Sequence, residues 1–291
     1  MKLLKRIYIF TLVALLCFGC FNYVAKAFTT DNPQAPPYLV SDTNSTNPLP
    51  SSFRIDKSLN ISGSAQFTPT QLHVMKTQIN NPNIIDVDLR QESHGFINNT
   101  AIAFYNPNEY INNGMNSTQV LESEKSMLAT IPLNKEVTIY ERKGVPKSKI
   151  FVNTVNSESQ VTAANGVGYI RVPVTDTYVA SPQVVDQFVE FVKGVKPGTH
   201  LHFHCLAGQG RTTTFMAMYQ MLKNPSNLSL DKILTHQTRI GGIELMTSPV
   251  RNAFIKDFYK YTVDNKDTNY KVPYSKWTKL PFNLASNKPP Q

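Results

Sequence analysis

Regular alternation of apolar and polar residues predicts three strands in the chain. One ends at Asp88, the second spans Gly168–Val174 and the third spans Thr199–Cys205. Between the second and third strands, apolar residues recur at helical spacing from Ser181, a residue suited to a helix N-cap, to Gly194. A glycine-containing loop and another helical pattern follow the third strand. This order predicts an α/β fold with a central, mostly parallel sheet flanked by helices.

The N-terminus follows another pattern, with basic residues first, then an apolar run, then small residues. The apolar run spans Ile7–Phe18, and Ala25-Lys26-Ala27 has the small-x-small pattern of a signal-peptidase site. We predict a signal peptide over residues 1–27, an exported chain that is periplasmic or extracellular, and no membrane span after cleavage. An uncleaved anchor is one alternative. Lipidation at Cys20 is a second, although Cys17 stands where a lipobox normally has leucine.

Composition divides the remainder of the chain. Residues 28–52 are rich in Asn, Pro, Ser and Thr and lack apolar periodicity, which predicts a flexible linker. Residues 53–291 are predicted to form one globular domain. Within that domain, residues from about 96 to 167 are rich in Asn and carry short β-like pieces. This pattern predicts a small β-rich insertion, and it is also typical of long loops, so both interpretations stay open.

Composition and charge narrow the class of protein. The 291 residues are 41% hydrophobic and 17% charged, which suits one sizeable globular domain and excludes a mainly disordered chain. Removing the predicted signal peptide takes four of the 29 basic residues and none of the 20 acidic ones, so the net charge falls from +9 to +5. A positive balance suits a polyanionic small molecule. We expect no nucleic-acid partner, because Lys and Arg are not clustered among aromatic residues.

The loop after the third strand has the sequence His204-Cys205-Leu-Ala-Gly-Gln-Gly-Arg211-Thr212. A loop of this length between a strand and a helix can turn its backbone N–H groups around one phosphate. Arg211 can add two parallel hydrogen bonds to the phosphate oxygens. The same groups would hold Cys205 as a nucleophilic thiolate, and the Thr212 hydroxyl can bond its sulfur. The residues predicted to bind the phosphate between these two ends are Leu206, Ala207, Gly208, Gln209 and Gly210.

Two other chemistries fit parts of this motif. A zinc site could use His202, His204 and Cys205, but no second pair of Cys or His ligands lies nearby in the sequence. A nucleotide-binding Walker loop needs Gly-Lys before Ser or Thr, where this chain has Gly-Arg. We expect no metal and no cofactor, since the thiolate and Arg211 already supply the nucleophile and the positive charge. We expect His204 to orient the loop and to take no part in proton transfer.

Cys-x5-Arg followed by Ser or Thr is the signature of cysteine-dependent phosphatases, and further motifs extend the similarity. The order of these motifs along the chain resembles that in the bacterial protein-tyrosine-phosphatase-like (PTP-like) phytases. The resemblance covers about residues 50 to 261 and implies a cysteine-phosphatase core over residues 53–291. It also implies hydrolysis of myo-inositol polyphosphates such as phytate through a cysteinyl-phosphate. The motifs that carry the resemblance are Phe53-Arg54, Ile61–Phe67, Asp86–Phe96, Val172–Asp176 and Phe203–Cys205.

The reaction also needs a general acid for the leaving oxygen. Asp176 follows a predicted strand and precedes a capped helix, so it lies on a loop able to reach the phosphate. The resemblance implies the same role, although Asp is also common as a plain turn residue. Members of the family often carry a substrate-binding His after this Asp, where this chain has Thr177. Because of this difference, the resemblance does not imply that this chain prefers the same position of the inositol ring as other members of the family.

Four outer residues are candidates for contacts to the substrate. Arg54 resembles a family residue that contacts non-scissile phosphates, and it could also be a surface arginine. Asp88 stands where the family has an Asp near the substrate, and it could instead form a structural pair with Arg90 in a buried network that includes His94. Lys256 and Lys260 are four apart on one helix face, where they could form a basic rim or be solvated.

Two alternative functions stay open at the level of sequence. A protein-tyrosine or phosphoinositide phosphatase could be built on the same loop, although no motif indicates an aromatic clamp for a phenyl ring. A non-catalytic phosphate-binding protein belongs to another class. Such a protein would tolerate the loss of Cys205 or Asp176, and this chain keeps both.

Overall fold

We analysed a computed structural model that describes residues 36–43, 46–108, 110–224 and 226–280. The predicted signal peptide, Cys20 and residues 28–35 of the predicted linker lie outside the described residues. Within the described residues, the strands are β1 (Tyr38–Thr43), β2 (Arg54–Asp56), β3 (Ile61–Ser64), β4 (Ile84–Arg90), β5 (His94–Ile97), β6 (Thr100–Tyr105), β7 (Glu136–Tyr140), β8 (Pro146–Phe151), β9 (Val155–Asn156), β10 (Gly168–Val174) and β11 (His200–His204).

Eight α-helices accompany these strands in the part of the chain that the structure describes. They are α1 (Pro69–Ile79), α2 (Ser117–Leu128), α3 (Glu158–Ala164), α4 (Pro182–Gly194), α5 (Gly210–Leu222), α6 (Leu230–Arg239), α7 (Pro249–Asn265) and α8 (Tyr274–Trp277), with a short 3₁₀ helix at Lys266–Thr268. None of the described helices is long and apolar enough to cross a membrane.

A five-stranded sheet forms the centre of one region, in the order β10-β4-β11-β3-β2. All its pairings are parallel except that of β2 with β3. The carboxyl ends of β4, β10 and β11 therefore meet at one edge, which is where ligands bind in such sheets. The helices α4 and α5 pack on this sheet, and their Phe188 and Phe215 rings meet edge to face with centroids 4.8 Å apart. The predicted α/β class is confirmed.

The predicted elements of this region agree closely with the observed ones. The strand over Gly168–Val174 has the predicted bounds. The predicted helix begins after its N-cap Ser181, whose hydroxyl accepts the backbone N–H of Val184, and it ends at Gly194. It buries one apolar face, as its spacing requires, on Val185, Phe188, Val189 and Val192.

A six-stranded sheet in the order β8-β7-β1-β6-β5-β9 forms a second region. Its pairings are antiparallel except that of β1 with β7. Residues 96–167 hold four of these strands and two helices, so they are not simply long loops. The sheet also includes β1 and β5, which begin before residue 96, so the predicted bounds of a β-rich insertion are too narrow.

The linker prediction is wrong for part of residues 28–52. Tyr38–Thr43 forms β1, which pairs with β6 in a register that places Tyr38 opposite Tyr105. Val40 is buried in that strand. The physical reason is that β1 has only six residues, lies within a segment rich in Asn, Pro, Ser and Thr, and pairs with residues at least 58 positions away. A periodicity argument along the chain does not detect such a strand.

Candidate active site

The predicted catalytic loop, Cys205–Arg211, connects β11 to α5 at the edge of the five-stranded sheet. Cys205 is buried at its start, and the Thr212 hydroxyl in the first turn of α5 donates to its sulfur at 3.2 Å. Burial raises the pKa of the Cys205 thiol. Arg211, the Thr212 hydroxyl and the backbone N–H groups of Thr212 and Gly208 outweigh burial, so that the net shift of the pKa is downward. This environment favours the thiolate, the form that attacks phosphorus.

The segment that follows β3 holds this loop in place. The backbone N–H of Gln66 donates to the carbonyl of Leu206 at 3.1 Å. Gly208 has a φ of +69°, and a Cβ at this position would lie 2.3 Å from the backbone nitrogen of Ala65. Only glycine combines that conformation with so close an approach. The loop residues Ala207 and Gln209 are exposed, whereas Gly208 is buried.

Arg211 is fixed from two sides at the base of the site. Its Nη1 donates to Glu92 Oε2 and to the carbonyl of Val174, both at 2.9 Å, and its Nη2 donates to Glu92 Oε1 at 3.1 Å. Burial alone would lower the pKa of Arg211, but the carboxylate of Glu92 raises it overall, so the guanidinium is permanently charged. The buried Nε of Arg211 has no hydrogen-bond partner among the described residues. That N–H is therefore available to a phosphate oxygen.

Glu92 is a functional residue that the sequence analysis did not single out. Burial raises the pKa of its carboxyl, but Arg211 and then Arg90 lower it well below the usual range. The only signal available in the sequence was its place two residues after β4, at the edge where the strand ends converge.

Asp176 lies on the loop between β10 and α4, as predicted. Its Oδ1 is 3.1 Å from Arg211 Nη2, and half of its side chain is exposed. Thr177 follows with a φ of +68°, a left-handed conformation that is rare for a β-branched residue. Next to it, the rings of Tyr178 and Tyr110 meet edge to face with centroids 5.5 Å apart. The loop thus brings the Asp176 carboxyl group beside the Arg211 guanidinium.

Arg54 supports the predicted catalytic loop from below. It is buried beneath the loop, where Nη1 donates to the carbonyls of Gly208 at 2.8 Å and Ser52 at 2.9 Å. Its Nη2 donates to the Thr213 hydroxyl at 3.2 Å. Burial lowers the pKa of Arg54 to about 10. Its hydrogen bonds to protein groups make it a support of the loop, and its contact with a phosphate stays a prediction.

Asp88 is part of a buried structural network, the second of its two predicted roles. Its Oδ2 is 2.8 Å from Arg171 Nε and 3.3 Å from His94 Nε2, and it accepts the Tyr169 hydroxyl at 2.7 Å. Burial raises the pKa of Asp88, but Arg171 and His94 lower it far below the usual range. With no exposed surface, its carboxylate does not face a substrate.

The histidines of β11 are held by hydrogen bonds. His204 Nε2 lies 2.6 Å from Glu158 Oε1. The Nδ1 of His202 is 2.8 Å from the Ser62 hydroxyl and its Nε2 is 3.1 Å from that of Ser64. This geometry does not assemble the zinc trio considered above, because both ring nitrogens of His202 are occupied. The partners are side chains of serine and glutamate.

Two arginines lie at the rim, and neither was predicted. Arg251, in the first turn of α7, rests against the loop, since a Cβ at Gly210 would lie 2.6 Å from its Nη2. Arg142 follows β7 and lines a pocket beside the loop, with its guanidinium 5.0 Å above the Tyr105 ring. The pocket is also lined by Gln91, Glu92, Tyr110, Asp176, Thr177 and Leu206.

The two predicted rim lysines lie farther along α7 from Arg251. Lys256 is exposed, and Lys260 pairs with Asp264 at 2.6 Å and lies 5.2 Å above the Trp277 ring. At about 100° per residue, Lys260 lies on roughly the opposite face of the helix from Arg251. The structure therefore does not bring these lysines to the loop.

Comparison with known proteins agrees with this geometry. The family model for PTP-like phytases, described as "Inositol hexakisphosphate", matches residues 87–223. The effector protein hopD2 of Pseudomonas syringae pv. tomato is 30% identical over 199 residues, which are 62% of this chain and 42% of that protein.

Solved structures show the same likeness. A tandemly repeated PTP-like phytase from Mitsuokella multacida matches with a TM-score of 0.77 and 28% identity over 88% of this chain and 51% of its own. The PTP-like myo-inositol phosphatase of that organism, in complex with myo-inositol-(1,3,4,5)-tetrakisphosphate, matches with a TM-score of 0.75 and 28% identity. This match covers 89% of this chain and 51% of that one. A PTP-like phytase from Bdellovibrio bacteriovorus matches with a TM-score of 0.72 and 29% identity over 86% of this chain and 97% of that one. The chain thus spans about half the length of the Mitsuokella proteins and nearly all of the Bdellovibrio one. The resemblance predicted from the motifs is confirmed.

Proposed function

Because the chain is similar to the PTP-like phytases in sequence and in fold, we propose that it is a phosphoric monoester hydrolase acting on myo-inositol polyphosphates such as phytate. The observation that carries this proposal is the juxtaposition of three groups: the buried Cys205 sulfur, the charged Arg211 guanidinium, and the Asp176 carboxyl 3.1 Å from that guanidinium. Together they supply a nucleophile, a phosphate clamp and a proton donor.

In the first step, the Cys205 thiolate attacks phosphorus opposite the leaving oxygen. A sulfur–phosphorus bond forms, the bond from phosphorus to the inositol oxygen breaks, and the protonated Asp176 carboxyl gives that oxygen its proton. The loop N–H groups and the guanidinium of Arg211 bind the equatorial oxygens, where negative charge is distributed in the transition state.

In the second step, the Asp176 carboxylate accepts a proton from water, and that water attacks the cysteinyl-phosphate. The sulfur–phosphorus bond breaks, phosphate is released and the thiolate is restored. The Thr212 hydroxyl, which donates to the sulfur at 3.2 Å, stabilises the departing thiolate. These residues carry the whole cycle with no added cofactor.

The rim supports a substrate with several phosphates. Arg142 and Arg251 approach the loop from different elements, so their guanidinium groups can bind phosphates other than the one that reacts. Their places on two different elements suit a ring that carries several phosphates. The structure of a Mitsuokella relative with an inositol tetrakisphosphate supports the same substrate class.

A phosphotyrosine substrate is the second candidate, and one observation favours it. The Tyr110 ring lines the same pocket as Asp176, and the Tyr178 ring meets it edge to face. Such a pair could contact a flat phenyl ring, and the sequence alone had indicated no aromatic clamp.

We further propose that the chain is exported, with residues 1–27 as a cleaved signal. The support is the order of basic, apolar and small residues in that segment. N-terminal sequencing of the protein recovered from outside the cytoplasm tests this proposal. A mature N-terminus at Phe28 is expected. An intact N-terminus there contradicts cleavage, and a lipid-modified Cys20 favours the lipoprotein alternative.

The test of the activity is phosphate release from phytate and from a phosphotyrosine peptide, without added metal, with Cys205→Ser in parallel. Preference for phytate that disappears in the variant is the expected result. Preference for the peptide keeps the mechanism and overturns the substrate. Release from neither overturns the proposed activity and favours a silent phosphate-binding protein.

A further inference from the structure

The carboxylate of Glu158 connects two parts of the active site from a distance. Glu158 is the first residue of α3, which directly follows β9 of the six-stranded sheet, and it is fully buried. Its Oε1 is 2.6 Å from His204 Nε2, and its Oε2 accepts the side-chain N–H of Gln66 at 2.6 Å. Both oxygens of one buried anion are thus used to orient groups that lead to the catalytic loop.

The first of these connections leads to the nucleophile. His204 is the last residue of β11 and directly precedes Cys205. Its Nδ1 is buried and has no hydrogen-bond partner within the described residues, so the bond to Glu158 fixes the ring. The ring packs edge to face on Phe67 with centroids 5.2 Å apart. A change at Glu158 would release the side chain next to the sulfur.

The second connection leads to the phosphate clamp. The Gln66 backbone N–H donates to the Leu206 carbonyl, and its Oε1 accepts Arg90 Nη1 at 2.7 Å. Arg90 Nε in turn donates to Glu92 Oε1 at 2.9 Å, and Glu92 holds both terminal nitrogens of Arg211. The chain of contacts from Glu158 to Arg211 therefore passes through Gln66, Arg90 and Glu92 without a break.

A neighbouring acid indicates that Glu158 carries the negative charge. Asp86 is 1% exposed, and no described N–H or O–H group donates to either of its carboxyl oxygens. A carboxyl oxygen of Asp86, a carboxyl oxygen of Glu158 and a ring nitrogen of His204 lie within 4.8 Å of one another. Burial, followed by Glu158, raises the pKa of Asp86 well above its usual range. The shared proton therefore resides on Asp86, which leaves Glu158 as the anion that accepts hydrogen bonds.

We propose that Glu158 is a positioning residue for the phosphatase reaction, aligning Cys205 through His204 and Arg211 through the Gln66–Arg90–Glu92 chain. The inference rests on the proposed cysteine chemistry, but it does not depend on which phosphomonoester is the substrate. It assigns a role in catalysis to the six-stranded-sheet region in addition to that of the rim.

The test is Glu158→Gln in the full chain, with alkylation of Cys205 by iodoacetamide followed against pH by mass spectrometry of its peptide. Loss of positioning moves the N–H donors and Arg211 away from the sulfur, so the pKa of Cys205 should rise. Simple removal of a nearby negative charge would lower that pKa instead. With para-nitrophenyl phosphate, kcat should fall by about tenfold or more while KM changes by less than about twofold.

Glu124→Gln is the matched control. Glu124 is a buried carboxylate of the same region, pairs with Arg171 at 2.5 Å and accepts the backbone N–H of His94, but none of its contacts is to the loop. It should lose stability without changing the alkylation profile. A Cys205 pKa that is unchanged or lowered in Glu158→Gln, or raised equally in Glu124→Gln, overturns the proposal.

A second variant keeps the proposal falsifiable if Glu158→Gln does not fold. Gln66→Met removes the side-chain bonds from Gln66 to Glu158 and to Arg90 and leaves the bond from Glu158 to His204 in place. The kcat should fall severalfold, and the pKa of Cys205 should rise less than in Glu158→Gln, because the bond to His204 remains. An unchanged kcat overturns the connection to Arg211. Failure of the proposed function would appear differently, as an absence of phosphate release by the wild-type chain from every phosphomonoester tried.

Discussion

The two sheet regions contribute to the active site in opposite ways. The five-stranded region supplies the proposed nucleophile and phosphate clamp from one short stretch, because Cys205, Arg211 and Thr212 follow a single strand and open a single helix. The six-stranded region supplies isolated side chains, such as Arg142 after β7 and Glu158 at the start of α3. The first arrangement follows from local chain geometry, whereas the second exists only in the folded molecule. The residues proposed to attack and hold the phosphate are therefore close together in the sequence, whereas those proposed to align them or to bind other phosphates are far from them in the sequence.

The sharpest test of the first region is Cys205→Ser. The serine hydroxyl is not ionised near neutral pH, so the loop donors that stabilise a thiolate do not make it a nucleophile. We expect a loss of at least about 10³-fold in kcat, with phosphate still bound by the loop. Phosphate release and calorimetric binding of inorganic phosphate measure the two effects. Wild-type-like turnover would show that the sulfur is not the attacking atom.

Asp176→Asn removes the proton donor and leaves the loop intact. Asparagine cannot give a proton to the leaving oxygen, so we expect kcat to fall by about 10²- to 10³-fold. Steady-state kinetics on phytate measure this loss. A kcat within about twofold of the wild-type value would assign the general acid to another group.

The sequence predicted most of the five-stranded region because its signals are local. The strand, the glycine-containing loop and the helix around Cys205 are contiguous, and a phosphate-binding loop needs just this arrangement. Asp176 could be found because it follows a strand whose end must meet the end of β11. Glu92 satisfies the same geometric condition after β4, and it was missed because an acid next to an arginine has many structural roles.

The remaining features depend on burial and on distant pairing, which the sequence does not display. Arg54 was expected at the surface of the site, but the fold buries it beneath the loop. The strand β1 was interpreted as linker, since its partners lie far along the chain. Nothing in the sequence places the first turn of α7 beside the loop, so Arg251 could not be distinguished from other basic residues.

The rim arginines, Arg142 after β7 and Arg251 on α7, test the contribution of the rim to substrate choice. Arg142→Ala and Arg251→Ala should each raise KM for phytate by about tenfold, because each removes charge-assisted hydrogen bonds to a phosphate that does not react. The same variants should change KM for para-nitrophenyl phosphate by less than about twofold. Steady-state kinetics on both substrates separate the effects. An equal rise for both would place these arginines at the scissile phosphate or in the loop's support.

Asp86→Asn addresses stability and should leave the catalytic alignment in place. Burial raises the pKa of Asp86, so its contribution to stability is present at acidic pH and is lost as the pH rises from the unfolded-state pKa through the folded-state pKa. Asparagine does not titrate. The Tm of the variant relative to wild type should therefore increase with pH, by a few degrees between about pH 5 and pH 8. A relative Tm that is independent of pH would show that Asp86 is ionised in the folded protein.

The smallest effect is expected for Lys256→Ala and Lys260→Ala, which serve as matched controls for Arg251→Ala on the same helix. Lys256 is exposed and lies about 140° around the helix from Arg251, and Lys260 pairs with Asp264 on roughly the opposite face. Solvent-exposed pairs of this kind contribute little, so KM for phytate should change by less than about twofold. A tenfold rise in either variant would mean that the polyphosphate extends along α7, and the rim would then be set by the helix surface together with the six-stranded region.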